Sequence, residues 1–141
     1  MEKMVGQRLK WYLEYHSLID TNQSGFRARR RTTDHILRLH DAVQKALANK
    51  RNVLAVFIDI ENAYDMMNKT VLLSKLLALG INGEILRFIQ SFHSRWAYQV
   101  RVGSSLSRIK ESANVTPQGS ILSPLLFSVM INNVSRHVFY P

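Results

Sequence analysis

Apolar positions along the chain recur at two spacings and predict two kinds of element. Val5, Leu9, Tyr12 and Leu13 fall three or four residues apart, which predicts a helix over residues 1–16. Residues 17–31 are polar and basic and read as a loop. Ile36, Leu39, Val43, Ala46 and Leu47 repeat the helical spacing, so a second helix is expected from about Thr33 to Lys50, with Thr32 or Thr33 as its cap. The period then changes. Val53-Leu54-Ala55-Val56-Phe57-Ile58 is an unbroken apolar run rich in branched and aromatic residues, the signature of a buried strand. Helices are expected again from about Asn68 to Leu79, stopped by Gly80, and from Gly83 to Arg95. Two short strands near 96–102 and 106–111 join through Gly103-Ser104-Ser105. Thr116-Pro117-Gln118-Gly119-Ser120 is a loop. A last helix starts around Ser123-Pro124, with Ser as cap and Pro in the first turn. The expected class is α+β, helix-rich, with a small antiparallel sheet.

Charge changes this picture more than length does. The 141 residues suit one domain with a core, and 46% hydrophobic content is ordinary for one. Nineteen Lys and Arg against ten Asp and Glu give a net charge of +9, which points to a polyanionic partner, nucleic acid first. There is no cysteine, so disulfides, cysteine zinc sites and thiol catalysis are excluded. No apolar run approaches the roughly 20 residues of a membrane helix, and the first ten residues are too charged for a signal peptide. The expectation is an intracellular protein, in cytoplasm or nucleus, with no membrane partner.

Three clusters can carry chemistry. Asp59, Glu61 and Asp65 follow the apolar run. An ionised carboxylate at the end of a buried strand needs a cation or a donor, and Mg²⁺ prefers oxygen ligands. The competing reading, of equal weight, is a solvated helix start where acids suit the dipole. Arg27, Arg29, Arg30, Arg31 and Arg38 form the second cluster, with Asp34 as the sole counter-charge between them. Guanidinium forks match phosphate oxygens and stack on bases, and the plain alternative is a solvated charge run. The third is Thr116 to Phe127, where a Pro, an amide side chain and a bare Gly let a flat group approach the backbone. By itself it is most simply a loop before a buried helix. The five histidines show no zinc spacing, and Ser120 and Ser123 lack a nucleophile-elbow motif.

The three clusters in this order are far more specific than any one. Gln23-Ser24-Gly25-Phe26-Arg27, Thr32-Thr33-Asp34-His35, Ala55 to Asp65, Leu79-Gly80-Ile81, Gln99 to Gly103 and Pro117 to Phe127 together resemble the reverse transcriptase domain of LINE-type (non-LTR) retrotransposons, of the jockey-like group. The resemblance covers essentially the whole chain. It implies a right-hand polymerase architecture, with residues 1–50 as fingers and 51–141 as palm with interleaved fingers segments. It implies an RNA-directed DNA polymerase, a nucleotidyltransferase that adds dNTPs to a primer 3′-hydroxyl by two-metal phosphoryl transfer. Its partners would be an RNA template, a DNA primer and dNTP, and its cofactor two Mg²⁺ ions. Asp59 matches the first metal-binding aspartate, and Ile60 would offer a backbone carbonyl to the same ion. Tyr64 matches the bulky residue beneath the dNTP sugar. Gln118 and Gly119 match the loop that positions sugar and base. Arg27 matches the fingers that hold triphosphate or template, and Arg29, Arg30, Arg31 and Arg38 would contact nucleic acid.

This sequence departs from the family pattern at Arg29 and Val115, each in place of a Gly, at Asn132-Asn133 in place of Asn-Asp, and above all in its acids. It has no Asp-Asp pair, and Glu111 is its last acid. One carboxylate is a poor cage for two Mg²⁺ ions. The expectation is a partial domain lacking thumb and catalytic hairpin, inactive by itself, with an open edge on strand 53–58 and a tendency to aggregate. A non-catalytic basic RNA- or DNA-binding module and a retrotransposon relic remain as alternatives.

Overall fold

A computed structural model describes residues 1–93, 96–112 and 119–135. Its elements are α1 (Glu2–Tyr15), α2 (Thr32–Ala48), α3 (Lys69–Ala78), α4 (Gly83–Phe92), β1 (Trp96–Tyr98), β2 (Arg101–Val102), β3 (Ser105–Leu106), β4 (Lys110–Ser112) and α5 (Leu122–Met130). The class is α+β and helix-rich, as the periodicity implies.

The core is a helical cluster built on α5, whose sequence LSPLLFSVM is apolar nearly all round and must therefore be buried. Leu122, Leu126 and Val129 of α5 pack with Leu9 and Leu13 of α1, Leu72 and Leu76 of α3, Ile89 of α4, and Ile19, Met67 and Ile81 from the connections. In α1 the spacing works as expected: Gly6, Leu9 and Leu13 form its buried stripe. Gly6 brings that helix close to Ile121 and Leu122.

Capping follows local chemistry. The Asn68 side chain accepts from Val71 N at 3.1 Å and opens α3. Gly80, at φ +81°, closes it: Gly80 N donates to Leu77 O at 2.9 Å and Ile81 N to Leu76 O at 3.0 Å, a Schellman pair. Two expected caps differ. Neither Thr32 nor Thr33 caps α2; Arg31 is the cap residue, and the Asp34 carboxylate accepts its N–H at 2.9 Å. Helix α5 begins before Ser123, because the Ser120 hydroxyl accepts from Leu122 N and Ser123 N.

The two expected strands form one broken hairpin. β1 pairs antiparallel with β4, Trp96 opposite Ser112, and β2 with β3, Arg101 opposite Leu106. The pairing shifts by one residue between the ladders, so 107–109 holds one residue more than 99–100, a bulge. Ser107 fills the gap by accepting from Val100 N through its hydroxyl at 2.9 Å.

The apolar run 53–58 is the main correction. It forms no strand, and Leu54 (89% exposed) and Phe57 (84%) face solvent. A strand exists only when a partner takes its N–H and C=O groups. The described strands pair with each other and none lies beside this run. Helix α2 is the second exception. It buries no residue, and Ile36, Leu39 and Leu47, expected on a packed face, are exposed.

His93 caps the end of α4 and is 6% exposed, with no hydrogen-bond partner on Nε2 among the described residues. Burial, helped by the charge of Lys69, lowers its pKa. The folded state therefore binds this proton less readily than the unfolded chain. Stability from neutral His93 is complete above the unfolded value, about 6.5, and declines as pH falls below it. Urea midpoints of the wild type should drop between pH 7.5 and 5.5, and those of His93→Leu should change less over the same interval. A second expectation concerns 53–58: its amides should exchange with deuterium at nearly intrinsic rates, while those of Leu76 and Leu126 are protected.

Candidate functional site

The turn after the apolar run delivers Tyr64 to the helical core. Residues 61–66 are a series of turns, tightened by Asn62 at φ +51° and a Met66 N to Asn62 O bond of 2.9 Å. Buried Met67 anchors its exit. The half-buried Tyr64 ring lies against Phe127 of α5, centroids 5.6 Å apart. It shares a pocket of about 390 Å³ with Gly119, Ser120, Ser123 and Pro124. Gly119 has φ +90°, a conformation that side chains rarely adopt, and so keeps the pocket's backbone rim bare. The walls are an aromatic ring, a proline ring and bare backbone, with two hydroxyls. Such a surface suits a flat ring or a sugar. Tyr64 and Gly119, assigned from distant motifs, thus meet. Gln118 lies outside the described residues.

The pocket's edge is fixed from α1. One Glu2 carboxylate oxygen accepts from Ser120 Oγ at 2.5 Å, Ile121 N at 2.7 Å and Leu122 N at 3.2 Å. The Ser120 hydroxyl bond and these amides hold the Glu2 carboxyl below its usual pKa, against a smaller opposing effect of burial. Nothing in the local pattern marks Glu2. The available signal is generic, an acid near a helix start, and its partner lies more than a hundred residues away.

The acidic turn is open. Asp59, Glu61 and Asp65 are all exposed, and Ile60 is 49% exposed. Among the described residues no group of three or more His, Asp or Glu side chains is placed to hold a metal ion. Asp59 with the Ile60 carbonyl does not make a two-metal cage, so the described residues do not fit that centre.

The arginine cluster divides in two. Arg27 turns inward. Its Nε and Nη2 donate to the two Glu14 carboxylate oxygens at 3.0 and 2.7 Å, and Nη1 donates to Asp20 O at 2.8 Å and Gln23 O at 3.2 Å. This fork ties loop 19–27 to α1 and lowers the Glu14 pKa. Arg29, Arg31 and Arg38 are exposed and Arg30 half-buried. Arg30 and Arg31 join Phe26, Thr32, Thr33 and His35 around an open concavity of about 620 Å³. Phe26, at φ +60°, is exposed. An exposed ring among guanidinium groups is a surface on which a nucleic-acid base can stack while phosphates meet the cations.

The family model for reverse transcriptase (RNA-dependent DNA polymerase) matches residues 1–139. The chain belongs to the reverse transcriptase family. Relatives include the RNA-directed DNA polymerase from mobile element jockey of Drosophila melanogaster, 30% identical over 137 residues, which are 97% of this chain and 15% of that protein. The probable RNA-directed DNA polymerase from transposon BS of the same species is 30% identical over 128 residues, 91% of this chain and 14% of that one. The probable RNA-directed DNA polymerase from transposon X-element, also of that species, is 26% identical over 135 residues, 96% of this chain and 15% of that one. No solved structure matches the chain. The chain thus spans about a seventh of the length of the curated relatives it matches.

Within this reverse transcriptase segment, the Arg27 fork makes a stability prediction. Arg27→Ala strands the Glu14 carboxylate and two loop carbonyls, and should cost about 2–3 kcal/mol in chemical denaturation. Arg27→Lys should recover only part, because an ammonium cannot span both carboxylate oxygens and the carbonyls together.

Proposed function

We propose that this chain is the fingers and partial palm of an RNA-directed DNA polymerase, and that its Tyr64–Gly119 pocket receives the sugar and base of a dNTP. In this reading residues 1–50 are fingers, and 51–141 are palm with interleaved fingers segments. The observation that carries the reading is the meeting of Tyr64 and Gly119 in one pocket, in a chain that matches the family along its length. The Tyr64 ring blocks space beside the sugar, so a ribose 2′-hydroxyl is rejected by volume. Arg29, Arg30, Arg31 and Arg38 face the RNA template or DNA primer, and Arg27 serves them by holding their loop. Asp59 and the Ile60 carbonyl would supply oxygen ligands to a divalent ion such as Mg²⁺ only together with carboxylates that the described residues do not bring to them.

A second reading has its own support. The open basic concavity beside Phe26 suits a nucleic-acid-binding module.

Equilibrium titration with dNTP and rNTP separates the two. The polymerase reading expects the chain to prefer dNTP. It also expects Tyr64→Ala to reduce that preference by about tenfold, the scale of losing a steric contact. If dNTP and rNTP bind equally to the wild type, or not at all, while RNA binds with a steep salt dependence, the binding-module reading holds.

A further inference from the structure

The start of α5 is closed by the chain itself. Ile121 N and Leu122 N both donate to Glu2, Ser123 N donates to Ser120 Oγ, Leu122 N is shared with that hydroxyl, and Pro124 has no N–H. A helix start ordinarily offers free amides and a positive dipole end to phosphate. Here the amides are already taken and a carboxylate occupies the phosphate's place. Ser120, which donates to that carboxylate, also lines the Tyr64 pocket. The acid, the hydroxyl and the pocket therefore form one connected unit.

We propose that Glu2 is a positioning residue for the Tyr64–Gly119 pocket. Its carboxylate sets the placement of Ser120 and the first turn of α5. Its charge turns ligand phosphates away from that helix end, so that the pocket admits the nucleoside portion alone. This rests on the reading of the pocket as a nucleotide site, and it adds how the site is held and which end of the nucleotide enters.

Two variants separate geometry from charge. Glu2→Gln keeps an acceptor oxygen and removes the charge; Glu2→Ala removes both. In the full 141-residue chain, Glu2→Ala should speed amide exchange at Ile121 and Leu122, shift the Gly119 and Ser120 amide resonances, and weaken deoxyadenosine binding about tenfold. Glu2→Gln should leave those resonances near their wild-type positions and move the affinity ratio toward dATP over deoxyadenosine, by about threefold at low salt. A purely structural Glu2 would lower the melting temperature and leave that ratio alone, and this result overturns the proposal. Unchanged exchange at Ile121 and Leu122 in Glu2→Ala overturns it as well. If the wild type binds neither ligand, the nucleotide reading fails on its own, and the exchange and resonance measurements alone decide whether Glu2 positions Ser120. Should Glu2→Ala not fold, the ratio of dATP to deoxyadenosine affinity in Glu2→Gln decides instead: a shift toward dATP supports the proposal, and an unchanged ratio overturns it.

Discussion

Burial of α5 is the constraint on which the described structure depends. A helix this apolar cannot face water, so α1 and α3 close directly on it and α4 packs on α3. Burying it also hides its end groups, and an unpaired backbone group there costs about as much as a lost hydrogen bond. The chain supplies partners at both ends. At the start, Glu2 and the Ser120 hydroxyl take the free amides. At the finish, Lys75 of α3 donates to Met130 O, and the Gln23 side chain donates to Ser128 O at 3.1 Å. Just beyond, the Asn132 side chain donates to Leu18 O and accepts from Asp20 N, both at 2.7 Å. Residues from three parts of the sequence thus converge on one helix, and the Tyr64 pocket is built against its first turn.

Two described segments lack this satisfaction. Helix α2 and the run 53–60 carry large apolar side chains into solvent, and the run makes no ladder with the described strands. Exposed apolar surface on this scale marks a place where something else packs, or a tendency to associate. The proposed chemistry divides along the same line. Tyr64 and Gly119 stand on the packed cluster, while Asp59 and the outward arginines stand on segments with little holding them. A nucleotide-shaping wall can therefore form in this segment alone, whereas a metal centre needs carboxylates that the described residues do not bring together.

The sequence by itself determined the helices and the family. The 3.6-residue spacing of Val5, Leu9 and Leu13, the Asn68 cap and the Gly80 stop are local signals, and local physics decides them. The order of motifs likewise carried the reverse transcriptase resemblance, because motif order depends on no packing. Tertiary structure alone decided what depends on a distant partner. The run 53–58 has the composition of a buried strand but no partner strand among the described residues to take its hydrogen bonds. The α2 stripe has helical spacing but is not covered by the described residues. Arg27 and Arg29 look alike in sequence, and only the presence of Glu14 within reach turns one inward. The part played by Glu2 has the same cause: its worth lies in amides more than a hundred residues away, and no pattern along the chain encodes that distance.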